Sequence, residues 1–341
     1  MKDFWGKIKK KPFFCLAPMA DVTDFAFRKI ITKYGKPDVL WTEFVSADGL
    51  ANKIGQKKLL INLKFSKNEH PIVAQIFGSR VENIKIASKL CAKLGFDGID
   101  INMGCPDKAI EKQGSGASMI KNKELAREII KASREGAPKI PISVKTRIGY
   151  NKNEIDTWIR FLLEQKLPAL TIHLRNRKEM SNVPAHWELM PEIINLRNEI
   201  SPETLIIGNG DVVDIEDGRK KCIESGCDGI MIGRAIFGNP FLFKKNPLGK
   251  RSFLEEERSD VKGETLKRQD SKITKKLKIL TEHTKLFEKY IGKYKSFALM
   301  KKHFKAYVNG FNGAKELRVK LMEAKNSKEV KKIINDFCKK I

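Results

Sequence analysis

The sequence predicts an α/β fold, a (β/α)8 TIM barrel followed by a C-terminal all-helical domain. Three observations carry this. Eight strand-like apolar runs alternate with helical patterns over residues 1–243. Several of those runs are near-continuously apolar, as strands covered on both faces must be. From residue 271 onward the apolar residues recur at helical spacing only. An open doubly wound sheet is the competing architecture. No complete GxGxxG follows the first strand, and a count of eight strands favours the barrel.

The strands are expected at Phe13–Pro18, Val39–Phe44, Ile72–Phe77, Gly98–Ile101, Ile142–Thr146, Ala169–His173, Thr204–Gly208 and Gly229–Gly233. Val81–Leu94 places apolar residues three and four apart, and Gly95 follows as a stop signal. Lys123–Arg134, Glu154–Gln165 and Asp214–Ser225 read the same way. Residues 244–270 are polar, include Glu255, Glu256 and Glu257, and read as a linker or excursion. In 271–341, Ile273, Leu277, Leu280 and Phe287 mark one helix, and Phe297, Met300, Phe304, Tyr307 and Val308 a second. Leu317, Val319, Leu321 and Met322 suggest a third, and Val330, Ile333, Ile334 and Phe337 a fourth. Asn312-Gly313 breaks the chain between the second and third. A small helical bundle results.

Composition narrows the class. The 341 residues include 67 Lys and Arg against 41 Asp and Glu, a net charge of +26. Residues 244–341 hold 28 of the basic and 12 of the acidic residues, net +16. Part of this is Lys bias, since 52 of the basic residues are Lys. The remainder is the footprint expected of a protein that holds a polyanion, most often nucleic acid. No stretch approaches the ~20 apolar residues of a membrane span. The opening Met1-Lys2-Asp3-Phe4-Trp5 lacks a signal-peptide run. Six cysteines at irregular spacing, without CxxC, suit a reduced, cytoplasmic protein.

Barrel enzymes carry their reactive groups at the C-terminal ends of the strands. There the sequence places Ala17-Pro18-Met19-Ala20-Asp21, Thr42-Glu43, Gln75, Asn102-Met103-Gly104-Cys105-Pro106, Lys145 and Arg147, His173-Leu174-Arg175, Gly208-Asn209-Gly210-Asp211 and Gly233-Arg234. The last two loops occupy the usual phosphate cradle of this architecture. Their glycines let backbone N–H groups approach an oxyanion, and Arg234 adds charge. Cys105 lies in a loop rather than in a core pattern, unlike Cys15, Cys91, Cys222, Cys227 and Cys338. Its thiol is suited to donate a proton or, as thiolate, to attack. Lys145 suits a Schiff base or a cation beside an anionic ring. His173 reads as a base, a phosphate donor or a core residue. The five histidines show no metal-ligand spacing, and no metal is expected.

The ordered set Ala17-Pro18-Met19 with Val22-Thr23-Asp24, Gln75-Ile76-Phe77-Gly78, Asn102 to Pro106, Val144-Lys145-Thr146-Arg147, His173-Leu174-Arg175, Gly208 to Asp211, and Gly233-Arg234 with Gly238-Asn239-Pro240 strongly resembles the tRNA-dihydrouridine synthase family. The resemblance implies an FMN enzyme, re-reduced by NADPH, that reduces uridines of tRNA to 5,6-dihydrouridine. Hydride would pass to C6 of the uracil, and Cys105 would protonate C5. Pro18, Met19 and Gln75 would hold the isoalloxazine ring, with Lys145 near its N1–C2 edge. His173, Asn209, Gly210, Asp211, Gly233 and Arg234 would complete the cofactor site. Asn102 and Arg175 would face the substrate. The basic helical domain would bind tRNA, the chain acting as a monomer away from membranes. Leu174-Arg175-Asn176 stands where many relatives have Gly-Arg-Thr, and Val183 to Trp187 also departs from the family pattern. An FMN barrel acting on a small molecule, of dihydroorotate or enoate type, is the alternative.

Overall fold

The computed structural model describes residues 4–244 and 266–340. The strands are β1 (Phe13–Leu16), β2 (Leu40–Trp41), β3 (Val45–Ser46), β4 (Ile72–Phe77), β5 (Gly98–Met103), β6 (Ile142–Arg147), β7 (Ala169–His173), β8 (Leu205–Asn209) and β9 (Gly229–Ile232). All pair in parallel, in the order β1-β9-β8-β7-β6-β5-β4-β2, with β3 also on β4. A parallel bridge between Cys15 and Val39 links the two ends, so eight staves form a nearly closed TIM barrel.

Where a single second strand was expected over Val39–Phe44, the structure has two short ones, β2 and β3. The cause is a side chain. Thr42 Oγ1 accepts the amide of Gln75 at 3.1 Å, taking the place of a ladder carbonyl, and donates to the Glu43 carbonyl. The Gly98–Ile101 run extends two residues further, to Met103.

The helices that follow the strands are α1 (Phe25–Tyr34), α2 (Ala47–Ala51), α3 (Lys53–Leu59), α4 (Val81–Leu94), α5 (Lys108–Glu111), α6 (Lys123–Gly136), α7 (Arg160–Glu164), α8 (Met190–Ile200) and α9 (Ile215–Ser225). Gly95 ends α4 in the left-handed region, as its position predicts. The expected Glu154–Gln165 helix opens instead with a π turn, Ile155–Ile159, before α7.

Alternation along the strands builds the barrel interior in layers. Phe13, Cys15, Ala17, Trp41, Val73, Ala169, Ile207 and Met231 meet in one buried apolar cluster, with Trp5 packed in from the N-terminal segment. Further along β4, β7 and β8, at the same parity, stand Gln75, His173 and Asn209, and Asn102 on β5 and Lys145 on β6 join them. The interior therefore passes from apolar to polar toward the C-terminal ends of the strands.

The chain divides into two compact units, Met1–Thr23 with Asp38–Gly233, and Asp24–Pro37 with Arg234–Ile341. The unit that holds the tail helices thus takes in α1 and the chain from Arg234, where the barrel is expected to run to residue 243 and the helical domain to start at 271. The expected linker, 244–270, lies mostly outside the described residues. The four expected tail helices appear as α10 (Leu266–Tyr290), α11 (Met300–Tyr307), α12 (Ala314–Glu323) and α13 (Ser327–Cys338). Leu277, Leu280, Phe287, Met300, Phe304, Tyr307, Leu317, Leu321, Val330 and Ile334 are buried. Val319 is 58% exposed, because it falls on the outer face of α12. Gly313, at φ +78°, makes the predicted break before α12.

Two imidazoles sit inside this helical unit. The His283 ring lies 4.7 Å from that of His303, and both contact Phe27 of α1. Neither His283 nitrogen has a hydrogen-bond partner among the described residues. Burial, and then the charge of His303 on His283 and of Lys302 on His303, favours the neutral forms; His303 is pushed down to about 3. The unfolded chain takes up protons near pH 6.5 where the folded one does not. Stability should therefore fall as pH drops from about 6.5 toward 3, by up to about 1.4 kcal/mol per unit for each imidazole. Denaturant melts of the full chain across this range should show the slope, and His303→Phe should reduce it.

Candidate active site

The site grows from three neighbouring strands. Gln75 on β4, Asp100 on β5 and Ser143 on β6 are partners in register, and two residues later Asn102 pairs with Lys145. Asp100 accepts from Gln75 Nε2 and from Ser143 Oγ, both at 2.6 Å. Asn102 Nδ2 donates to Gln75 Oε1 at 3.0 Å. Asn102 Oδ1 then accepts the backbone N–H groups of Gly104, at 3.1 Å, and Cys105, at 2.9 Å. On the other side, Arg147 Nε donates to the Gly104 carbonyl at 2.9 Å. The Cys105 loop is thus held at both its amide and carbonyl edges.

Cys105 is half-buried. Burial pushes its thiol above the ordinary value, and this outweighs the opposing pull of the Asp107 backbone amide and, after it, of Arg147 and Lys145. Of the two roles open to it, proton donor and nucleophile, the arrangement suits the donor: the thiol keeps its proton at neutral pH.

Lys145 donates to Asn209 Oδ1 at 3.0 Å, and Asn209 Nδ2 is itself tied to the Met231 carbonyl. The side chain is part-exposed, yet its ammonium is packed deeply enough that burial, then Arg147, pulls it down to about 8. It remains mostly charged at neutral pH, and its hydrogen bond goes to a neutral amide.

Arg175 behaves differently from expectation. It is 2% exposed, and each of its three nitrogens is engaged: Nε with the Val183 carbonyl at 2.7 Å, one terminal nitrogen with His173 Nε2 at 3.0 Å, the other with Asp211. A guanidinium only donates, so His173 Nε2 accepts and the ring proton lies on Nδ1. Arg175 and Asp211 therefore shape the floor of the site through His173 and the 183–187 segment.

Trp187 belongs to the Val183–Trp187 stretch that departs from the family pattern, and the motifs give it no role of its own. Its indole donates to the Gly210 carbonyl at 2.8 Å and covers Gly208, where an added Cβ would lie 2.5 Å from the ring. Gly210 has φ +130°, and a Cβ there would meet Ala185 at 2.7 Å. Glycine is required at both positions for the tryptophan and the 183–187 segment to close on β8.

Pro18 and Met19 lie in the turn after β1, where the Met19 amide donates to Thr23 Oγ1 at 2.9 Å. Met19 Sδ is among the nearest atoms to Gly233, at 3.8 Å from the position of a Cβ. The nearest atom to that position is Ala17 Cβ, at 3.7 Å, so a side chain at Gly233 would meet only ordinary van der Waals contacts. Arg234 follows directly in the chain and opens a 3-10 turn of the helical unit. Asp100 and Arg147, to which the motifs give no role, did carry one signal. Asp100 shares the parity of Asn102, and Arg147 that of Lys145.

The description of the family model that matches residues 15–341 is dihydrouridine synthase. A "Probable tRNA-dihydrouridine synthase" of Staphylococcus aureus is 40% identical over 98% of this chain and 96% of its own length. A "Probable tRNA-dihydrouridine synthase 2" of Bacillus subtilis is 40% identical over 99% and 98%. Among solved structures, morphinone reductase shares the fold with TM-score 0.50 at 12% identity, covering 70% of this chain and 86% of that one. A 2-naphthoyl-CoA reductase does so with TM-score 0.51 at 10% identity, covering 68% and 49%. Among the described residues, no cluster suited to a metal ion is present, and no helix is long and apolar enough to cross a membrane.

The Arg175 fork can be tested by itself. Arg175→Lys keeps charge but loses the three-way geometry. It should cost about 2 kcal/mol in denaturant melts and make the 183–187 segment more sensitive to proteolysis.

Proposed function

Since the chain belongs to the dihydrouridine synthase family, we propose that it reduces the C5–C6 double bond of particular uridines in tRNA. The observation that carries the reading is Cys105: a thiol kept protonated by burial, on a loop braced at both edges, beside two cations.

The residues fit a phosphorylated flavin. Lys145 offers a charge whose hydrogen-bond partner is a neutral amide, and the backbone N–H groups and charge of Gly233-Arg234 would suit a phosphate. Bound there, FMN reduced by NADPH would supply the hydride chemistry. Pro18, Met19 and Gln75 would hold the ring, Gln75 being fully buried with its amide engaged by Asp100 and Asn102, and Lys145, held by Asn209, would lie toward its N1–C2 edge. Gly210, Gly233 and Arg234 serve the ribityl phosphate. His173, with its tautomer set by Arg175, and Asn102 complete the floor. Asp211 acts through Arg175.

Delivery of a hydride and a proton to adjacent ring carbons requires the uridine to leave its stack and enter the barrel mouth. Cys105 Sγ–H then gives its proton to C5. Arg147 and Lys145 stabilise the thiolate left behind, and solvent returns the proton. The tail's net charge of +16 supports tRNA, recognised through its backbone, as the substrate over a small molecule. On α13, Lys328, Lys331, Lys332 and Lys339, with the single carboxylate of Asp336 among them, line one cleft whose net positive charge suits phosphates.

Cys105→Ala should keep FMN and tRNA binding, and flavin-dependent NADPH oxidation, while dihydrouridine in tRNA, read by mass spectrometry, is lost. An unchanged yield would remove the proton-donor role. Lys331→Glu with Lys332→Glu should weaken tRNA binding and lower the slope of log K against log salt by roughly 0.7–0.9 for each phosphate no longer neutralised. An unchanged slope would take α13 out of the interface.

A further inference from the structure

Asp100 is a fully buried carboxylate one layer beneath the polar end of the barrel interior. Such a group is costly unless it orders something. Its neighbours show what it orders. The backbone N–H groups of Gly104 and Cys105 can only donate, so Asn102 must turn Oδ1 to them and Nδ2 to Gln75. Gln75 must then accept with Oε1 and offer Nε2 inward. The chain of amides ends on a group that has to accept, and Asp100 is that group. A carboxylate has no donor to offer when ionised, so it excludes the reversed orientation of both amides.

We infer that Asp100 is a positioning residue for Cys105, acting through Gln75 and Asn102 to fix the direction of the amide chain that holds the thiol's loop. The inference rests on the proposed role of Cys105 as proton donor. With an amide at position 100, the chain gains a second arrangement: residue 100 donates to Gln75 Oε1, Gln75 donates to Asn102 Oδ1, and Asn102 Nδ2 opposes the Gly104 and Cys105 N–H groups. The loop then loses its anchor, and the thiol loses part of its burial.

The test reads the thiol, with neither flavin nor RNA. Full-length protein carrying Cys338→Ala leaves Cys105 as the only part-exposed cysteine, since Cys15, Cys91, Cys222 and Cys227 are buried. In Asp100→Asn, the pH midpoint of Cys105 alkylation by iodoacetamide should fall by about one unit, about tenfold more thiolate at a given pH below it. The swap Asp100→Asn with Gln75→Glu restores the direction, because residue 100 now donates and residue 75 accepts at both oxygens; the midpoint should return. General loosening of the fold would not be corrected by the swap. A midpoint unmoved in folded Asp100→Asn, or one that the swap leaves shifted, overturns the inference. If Asp100→Asn does not fold, the swap must match wild type and the near-isosteric Gln75→Met must lower the midpoint; failure of either overturns it. The two readings separate cleanly. A wild-type protein that forms no dihydrouridine would remove the proposed function and leave the thiol result standing, whereas an active wild type with an unmoved midpoint would remove only Asp100.

Discussion

Every part of the site depends on one constraint: side chains that alternate along eight parallel strands must share one interior. The register that places Val73, Ala169 and Ile207 in the apolar cluster also places Gln75, His173 and Asn209 at its polar end. A one-residue slip of β4, β7 or β8 would turn those polar groups outward and the apolar ones with them. The apolar layers thus fix the register, and the register fixes the chemistry. Burial of the lower interior stabilises the fold and aims the site in the same step.

Charge in the barrel is arranged by pairing. Arg175 directs its donors to Asp211, His173 and the Val183 carbonyl, and Arg147 directs its own to the carbonyls of Gly104, Asn176 and Met180. Both act on loop backbones, so two cations that look like ligand groups in the sequence work first as braces. Lys145 likewise bonds to a neutral group, the Asn209 amide, while the buried Asp100 carboxylate favours its charged form.

The strands were legible in the sequence because parallel staves are apolar on both faces. The tail helices were legible through Leu277, Phe304, Leu321 and Val330 at helical spacing. Motif order gave the family. Three things were hidden, each for a physical reason. The membership of α1 in the helical unit depends on which apolar face it meets, and Phe27 carries no mark of its partners His283 and His303. The splitting of the second strand depends on a hydroxyl, that of Thr42, competing for a ladder position. The engagement of Arg175 with Asp211 joins residues 36 apart, and both types are common in binding sites, so pattern alone assigned them to ligands.

The proton-donor role sets two demands that pull against each other. A donor must be protonated before the reaction, which burial secures at Cys105; its conjugate base must be tolerable afterward, which cations secure. Arg147 and Lys145 acting alone would favour the thiolate and empty the donor before use. Burial acting alone would make the thiolate too costly to form. The structure holds both influences on one sulfur with burial the larger, so the proton stays until an acceptor carbon arrives. Such a balance is sensitive to small changes in how deeply the sulfur sits, because it is the difference between opposing influences. That sensitivity is the physical reason for bracing the loop from Asn102 on one side and Arg147 on the other, and for anchoring the Asn102 amide, through Gln75, on a carboxylate that cannot turn donor while ionised.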